Sequence, residues 1–277
     1  MNRKIIVDSG CDLTPEMKKE MDIVSVPLTM RLGEKEFIDD ENLDIPGFLE
    51  EMGACTDRAG SASPSPYSYR EAIRGADDAF VVTLSSRLSG SYDSAAAGRD
   101  LAEEEGQTNT HVIDSKSASA GETLVALKLH EILKANLTAE KILQAIEAFI
   151  SNMKTYFVLE NYDNLQKNGR LNKITGKLIQ LLNVKLIMGS DRSGNIALYK
   201  RARGIGQMTA ELLRLIEESG KETAGAKLVI SHCDNPDLAN RLSDAIRQRF
   251  HFDKIFVVHT GGLSSLYADR KGVVLAF

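Results

Sequence analysis

Short β-branched runs alternate with helix-like segments along this chain, and almost every run ends in a polar turn. That alternation is the strongest constraint on the fold, because a strand–helix–strand rhythm is met by helices packed on a mainly parallel sheet. Lys4 to Val7 is such a run and stops at Asp8-Ser9-Gly10. Thr14 followed by Pro15 supplies a capping hydroxyl and a proline for the first helical position, so a helix is expected to start there. Residues 23–30 read as extended, with Pro27 placing them at a sheet edge or bulge. Phe80 to Leu84 reads as a buried strand, Tyr92 to Glu104 as a helix and His111 to Asp114 as the next strand. Helices are predicted over about 120–135 and 139–153. In the second of these Ile142, Leu143, Ile146, Phe149, Ile150 and Met153 form one apolar stripe at helical spacing, which reads as core.

The second half has a different texture. Val184 to Met188 and Asn195 to Tyr199 flank Asp191-Arg-Ser-Gly194, the pattern of a β-hairpin. Tyr156 to Leu159 reads as extended, Leu165 to Gly169 as a helix end, and Ile174 to Leu182 as helical. Further on come a helix at about 206–219, a strand Lys227 to Ser231, a helix at 236–249 and strands Ile255 to His259 and Gly272 to Phe277. A hairpin inside an alternating pattern implies a mixed sheet. With 277 residues, 43% of them hydrophobic, the chain is long for a single core. The expectation is therefore an α/β protein of two domains: residues 1–152 with a mainly parallel sheet and 153–277 with a mixed one.

Composition removes several function classes. The net charge is −5, which gives no global attraction to nucleic acid. No run approaches the ~18 apolar residues of a membrane span, and the apolar run after Lys4 is too short for a secretory leader. Cys11, Cys55 and Cys233 are odd in number and far apart, as expected for reduced thiols in a cytoplasm. P-loop, nucleophile-elbow and zinc-helix motifs are missing. Gly204-Ile-Gly206 follows a basic segment instead of a strand and has Thr209 at the third glycine position, against a dinucleotide site. His232 and Cys233 are neighbours on a strand and point to opposite faces, against a metal pair. No metal ion or cofactor is expected.

Polar clusters stand out at the strand ends: residues 8–10, 61–66, 84–91, 114–121 and 259–262. In an open α/β sheet the carboxyl ends of the strands are where ligands sit. Ser89 and Gly90 open a helix whose free N–H groups can hold an anion, and serine hydroxyls add neutral donors. Ser65-Pro66, by contrast, also fits an ordinary helix cap, and Gly169-Arg170 fits a helix end with glycine as C-cap.

These clusters resemble those of the DegV family, whose members include the fatty-acid-binding subunits of bacterial fatty acid kinase. The resemblance rests on Val7-Asp8-Ser9 with Asp12-Leu13, Val26-Pro27-Leu28, Phe37 with Asp39, Ser61 to Pro66, Leu84-Ser85, Leu88 to Ala95 and Asp114-Ser115. It continues through Leu165 with Gly169-Arg170, Arg203, His232 with Asn235, and His259-Thr260-Gly261. It implies two α/β domains enclosing a lipid tunnel, a long-chain fatty acid as ligand, and a catalytic kinase subunit as partner. The chain itself would be a carrier and no enzyme, with acyl-phosphate formation left to the kinase. The implied ligand-binding residues are Ser61, Ser89, Gly90, His259 and Thr260, and the implied partner contact is Arg203, which equally fits a solvated turn. Ser61 stands where the family has threonine and Ala62 where it has serine. Gly262 replaces the family proline, so Ser264 to Lys271 make a longer connection before the last strand. The alternative is a stand-alone hydrolase or acyl transferase using Ser89 and His259.

Overall fold

The computed structural model describes residues 2–107, 109–171 and 184–277. The helix expected over 174–182 lies outside the described residues. In the first half the chain runs β1 (Arg3–Asp8), α1 (Pro15–Met21), β2 (Ile23–Val26), β3 (Thr29–Leu32), β4 (Lys35–Ile38), α2 (Ile45–Ala54), β5 (Ala59–Ala62), α3 (Pro66–Ile73), β6 (Asp78–Thr83), α4 (Ser91–Glu104), β7 (Thr110–Asp114), α5 (Ala120–Leu133) and α6 (Ala139–Asn152). The second half adds β8 (Thr155–Val158), α7 (Asp163–Lys167), β9 (Val184–Ser190), β10 (Ile196–Arg203), α8 (Gly204–Glu218), β11 (Lys227–His232), α9 (Pro236–Arg249), β12 (Lys254–His259), α10 (Gly262–Ala268) and β13 (Val273–Ala276). The architecture is α/β, as the alternation of strands and helices requires.

Local chemistry accounts for the boundaries. Thr14 Oγ1 accepts the Met17 N–H at 3.2 Å with Pro15 at the first helical position, and Ser65 does the same for Ser68 ahead of Pro66. Pro27, which offers no N–H to a ladder, follows the last residue of β2, and the chain there crosses to another sheet.

Strands β2-β1-β6-β7 form an all-parallel sheet. Its period of two is visible in the packing. Ile5, Val7, Phe80 and Val82 face α5 and α6, where the Ile142, Ile146 and Ile150 stripe is core as expected. Ile6 and Val81 face α3 and α4. A six-stranded mixed sheet follows in the order β10-β9-β8-β13-β11-β12, parallel only between β11 and β12. Helices α8 and α9 cover one face. Helix α5 lies between the two large sheets: Val125 and Leu129 pack on the parallel one, Leu124 and Leu127 on the mixed one.

Helix α2 was not anticipated, and neither were two further features. Strands β4-β3-β5 form a small antiparallel sheet whose core is shared with residues of the second half, among them Leu159, Leu165, Leu186 and Leu266. The longer connection after β12 contains helix α10. Its first N–H groups are taken by Asp39 carboxylate oxygens, from Gly262 and Leu263 at 2.8 Å each, and Asp12 takes that of Gly261 at 2.8 Å. Two carboxylates from far upstream thus cap the helix and favour its positive end.

The tip of the β9–β10 hairpin docks on the carboxyl ends of the parallel strands. Ser85 donates to the Gly194 carbonyl at 2.8 Å and Ser190 to that of Lys116 at 2.6 Å. Gly194 has a φ of 87° and touches Ser85 and Lys116 so closely that a side chain there would collide, so glycine is required on both counts. Among the described residues no helix is long and apolar enough to cross a membrane.

Candidate functional site

A cavity lies where the carboxyl ends of the parallel strands, α10 and the inner face of the mixed sheet meet. Leu28, Leu84 and Leu263 wall one side, and Phe157, Leu159 and Ile196 another. The enclosed space is about 120 Å³, and about 860 Å³ when the open mouth is counted. Such walls offer dispersion contacts and dry surface and no charge, so they suit a hydrocarbon.

Polar groups gather at one part of this wall. Ser61, the third residue of β5, shares a hydrogen bond with the Tyr267 hydroxyl at 2.9 Å. Arg170 follows α7, and its guanidinium stands 5.7 Å from the Tyr267 ring centroid. Its Nε donates to the Leu88 carbonyl at 3.0 Å and its Nη1 to that of Asn168 at 2.6 Å. Ser89, next to Leu88, accepts the Ser91 N–H at 3.2 Å and lies 3.0 Å from the Ser91 hydroxyl. Ser61, Ser89, Arg170 and Tyr267 all line the cavity and are partly exposed. These three hydroxyls and one guanidinium, on a wall that also carries Ser117, Thr155, Ser190 and Asn195, form a place for a single anionic head.

Behind the wall lies a buried layer of acid. Asp8 ends β1 and accepts the N–H groups of Gly10 and Leu84, both at 2.9 Å. Gly10 lines the cavity, and a side chain there would collide with Asp8 and with Glu122 of α5, both of which close on it. Burial pushes the Asp8 carboxyl up to about 6, against the pull of the backbone bonds from Leu84 and Gly10. Burial and then the Asp8 charge push Glu122 well above the carboxylate range. Neither Glu122 oxygen meets an N–H or hydroxyl donor among the described residues. Two carboxyls in contact are stable only when one carries a proton, and Glu122 is the protonated member. Asp12 is also raised to about 6 by burial, opposed by Ser119, whose hydroxyl donates at 2.5 Å, and by the Gly261 N–H. Ser119 and Ser264 line the cavity. No group of three or more potential metal ligands occurs among the described residues.

The profile of the DegV family, described as uncharacterised proteins, matches residues 2–276. A DegV domain-containing protein of Streptococcus pyogenes serotype M1 is 36% identical over 280 residues, covering 100% of this chain and 99% of the relative. The chain belongs to the DegV family. Among solved DegV structures, one from Ruminococcus gnavus refined with vaccenic acid is 37% identical, with a TM-score of 0.94 and 99% of each chain covered. The Streptococcus pneumoniae Fatty Acid Kinase (Fak) B3 protein, loaded with linoleic acid, is 35% identical, with a TM-score of 0.92 and 100% and 99% covered. A Eubacterium eligens DegV protein loaded with heptadecanoic acid is 31% identical, with a TM-score of 0.91 and 99% and 98% covered.

In this DegV chain the structure brings two of the sequence candidates to the cavity, Ser61 and Ser89. Gly90 is exposed at the start of α4, where its Cα faces the Ser63 hydroxyl, and is not on the cavity wall. Thr260 is buried, its hydroxyl engaged by Ser265 at 2.8 Å and by the His232 carbonyl at 3.3 Å. His259 is exposed at the end of β12 against the His232 ring, centroids 4.3 Å apart. Burial and the neighbouring His259 depress His232 to about 4. Neither Thr260 nor His259 lines the cavity. Ser89 has a serine, not an imidazole, as its hydroxyl neighbour. Arg203 is exposed at the end of β10, with its backbone N–H bonded to Gln207 Oε1 at 2.7 Å.

Sequence reasoning did not assign Arg170, Tyr267, Ser119 or Ser264 to the site. Gly169 does end α7 with a φ of 74°, as its bland reading holds, while the next side chain reaches the cavity. The pairing of glycine with arginine was the available signal. Tyr267 sits in the longer connection after β12 and gave none.

Proposed function

We propose that this protein is a carrier that buries the chain of a long-chain fatty acid in its cavity and holds the carboxylate at Ser61, Ser89 and Arg170. The observation that carries this reading is an apolar cavity with hydroxyls and one guanidinium grouped on its wall. Each buried methylene contributes about 0.8 kcal/mol, so the tail supplies affinity and the polar group supplies orientation. A bare carboxylate is costly to bury without donors, and these residues offer them. The fatty acids in the three related structures support the same ligand class.

On this reading the carrier works in the cytoplasm and presents its carboxylate to a separate kinase subunit, which forms the acyl phosphate. The likeness to the Fak B3 protein supports that role. Residues 1–152 act as the domain of the buried acids and serines, and residues 153–277 supply most of the chain wall and the surface around Arg203 that docks the kinase.

The test is lipid extraction and native mass spectrometry of protein purified from a bacterial host. One fatty acid per chain is expected. Protein free of lipid, together with no calorimetric binding of long-chain acids, would overturn the carrier reading.

A further inference from the structure

Tyr267 is placed where the separate parts of the polar group meet. Its hydroxyl touches Ser61 of β5, 206 residues away, at 2.9 Å. Its ring faces the Arg170 guanidinium at 5.7 Å, and it lines the cavity with both. Its own position is fixed at both ends of α10. Asp39 and Asp12 hold the first N–H groups, and Asn164 donates to the Leu266 carbonyl at 2.8 Å. The side chain is therefore held ready before any ligand arrives.

A hydroxyl has one proton to give and two lone pairs to receive. Between Tyr267 and Ser61 one proton fills the shared bond, and the other is free to face the cavity. A phenol O–H is a stronger donor than an aliphatic alcohol, because the ring delocalises the charge left on oxygen. The favoured order is Tyr267 to Ser61 to ligand, and each bond in such a chain polarises the next. The electron-rich ring face separately attracts the guanidinium, while Leu88 and Asn168 carbonyls fix its plane.

We propose that Tyr267 is a positioning residue of the head-group site, directing the Ser61 proton at the carboxylate through its hydroxyl and seating Arg170 with its ring. The inference rests on the reading of the cavity as a fatty-acid site.

The two roles separate in two variants. Tyr267→Phe removes the hydroxyl and keeps the ring; Tyr267→Leu removes both. Affinity is measured by calorimetry for a long-chain fatty acid and for the fatty alcohol of equal length, which has no charge. Tyr267→Phe is expected to weaken the acid roughly three- to tenfold, the range of one ordinary hydrogen bond, and to leave the alcohol unchanged. Tyr267→Leu should weaken the acid further, again sparing the alcohol. Structural damage would lower both ligands together. Equal losses for acid and alcohol, or an acid affinity untouched in both variants, would overturn the proposal. A wild-type protein that binds both ligands equally would overturn the head-group placement while leaving chain burial standing. A wild-type protein that binds neither would overturn the carrier reading and this proposal with it.

Discussion

The parallel and mixed sheets enclose one cavity and are built in opposite ways around it. At the carboxyl ends of the parallel strands, Asp8, Asp12, Ser85, Ser91, Ser115, Ser117, Ser119 and Glu122 are all buried. The mixed sheet and its hairpin present Phe157, Leu159, Ile196 and Val274, with Thr155, Ser190 and Asn195 beside them. The first region places charge and hydrogen bonds in a dry interior, which weakens the fold unless every group is paired. The second gives apolar area that costs nothing to bury. The difference teaches that a buried acid layer and an apolar wall, though they meet at one cavity, should respond separately to pH and to mutation.

The largest expected effect tests the acid layer. Burial raises Asp8 and Asp12 to about 6 in the fold, from an ordinary value of 3.8. A shift of that size is about 3 kcal/mol for each group taken alone. Because both are raised, their contribution is present below 3.8 and is lost as pH rises through about 6. Urea unfolding is expected to show a more stable protein at about pH 4.5 than at about pH 7.5. Asp12→Asn, which keeps a partner for Ser119 and cannot ionise, should remove a large part of that difference. A pH profile identical in wild type and Asp12→Asn would show that the acid layer carries no such strain.

The apolar wall comes next. Ala268 is buried on the cavity wall. Ala268→Phe would displace about four methylenes of bound chain and cost about 3 kcal/mol of affinity. Acid and alcohol should lose equally, because the change touches the chain alone. A loss confined to the acid would break the division between the two regions.

Ser89→Ala acts in the other sense. Removing a hydrogen bond to a charged acceptor costs about 1.5–3 kcal/mol, and calorimetry should record it for the acid and not for the alcohol. Unchanged acid affinity with an intact fold would move the carboxylate away from Ser89.

The smallest effect on binding is expected at Arg203. Exposed beyond the hairpin, it should alter lipid affinity by less than about 0.5 kcal/mol on change to alanine. Acyl-phosphate formation with the cognate kinase, per bound lipid, should instead drop strongly. Lost lipid binding with normal coupling would assign Arg203 to the cavity.

Much of the fold was legible because its signals are local. A capped proline starts α1 and α3, a period of two marks both faces of β1 and β6, and a glycine-bearing turn joins β9 to β10. The small β4-β3-β5 sheet was not legible, because β4 is short and mostly exposed and carries little hydrophobic pattern. Helix α10 was missed for a related reason: its capping residues are Asp39 and Asp12, more than 220 positions upstream.

The sequence by itself determined the strands of the two large sheets, most of the helices and the serines that end several strands, since each depends on neighbours within a few residues. It also marked Ser61 and Ser89, whose hydroxyls follow from motif and position. Only the tertiary structure decided which of the marked residues meet. It set the exposed His259 against the buried His232 and brought Arg170 to Leu88 and Tyr267 to Ser61, across 82 and 206 positions. The reason is physical: a side chain's partners are fixed by how two sheets pack through α5 and where α10 is capped, and no local spacing encodes contacts that form only when distant segments are pressed together.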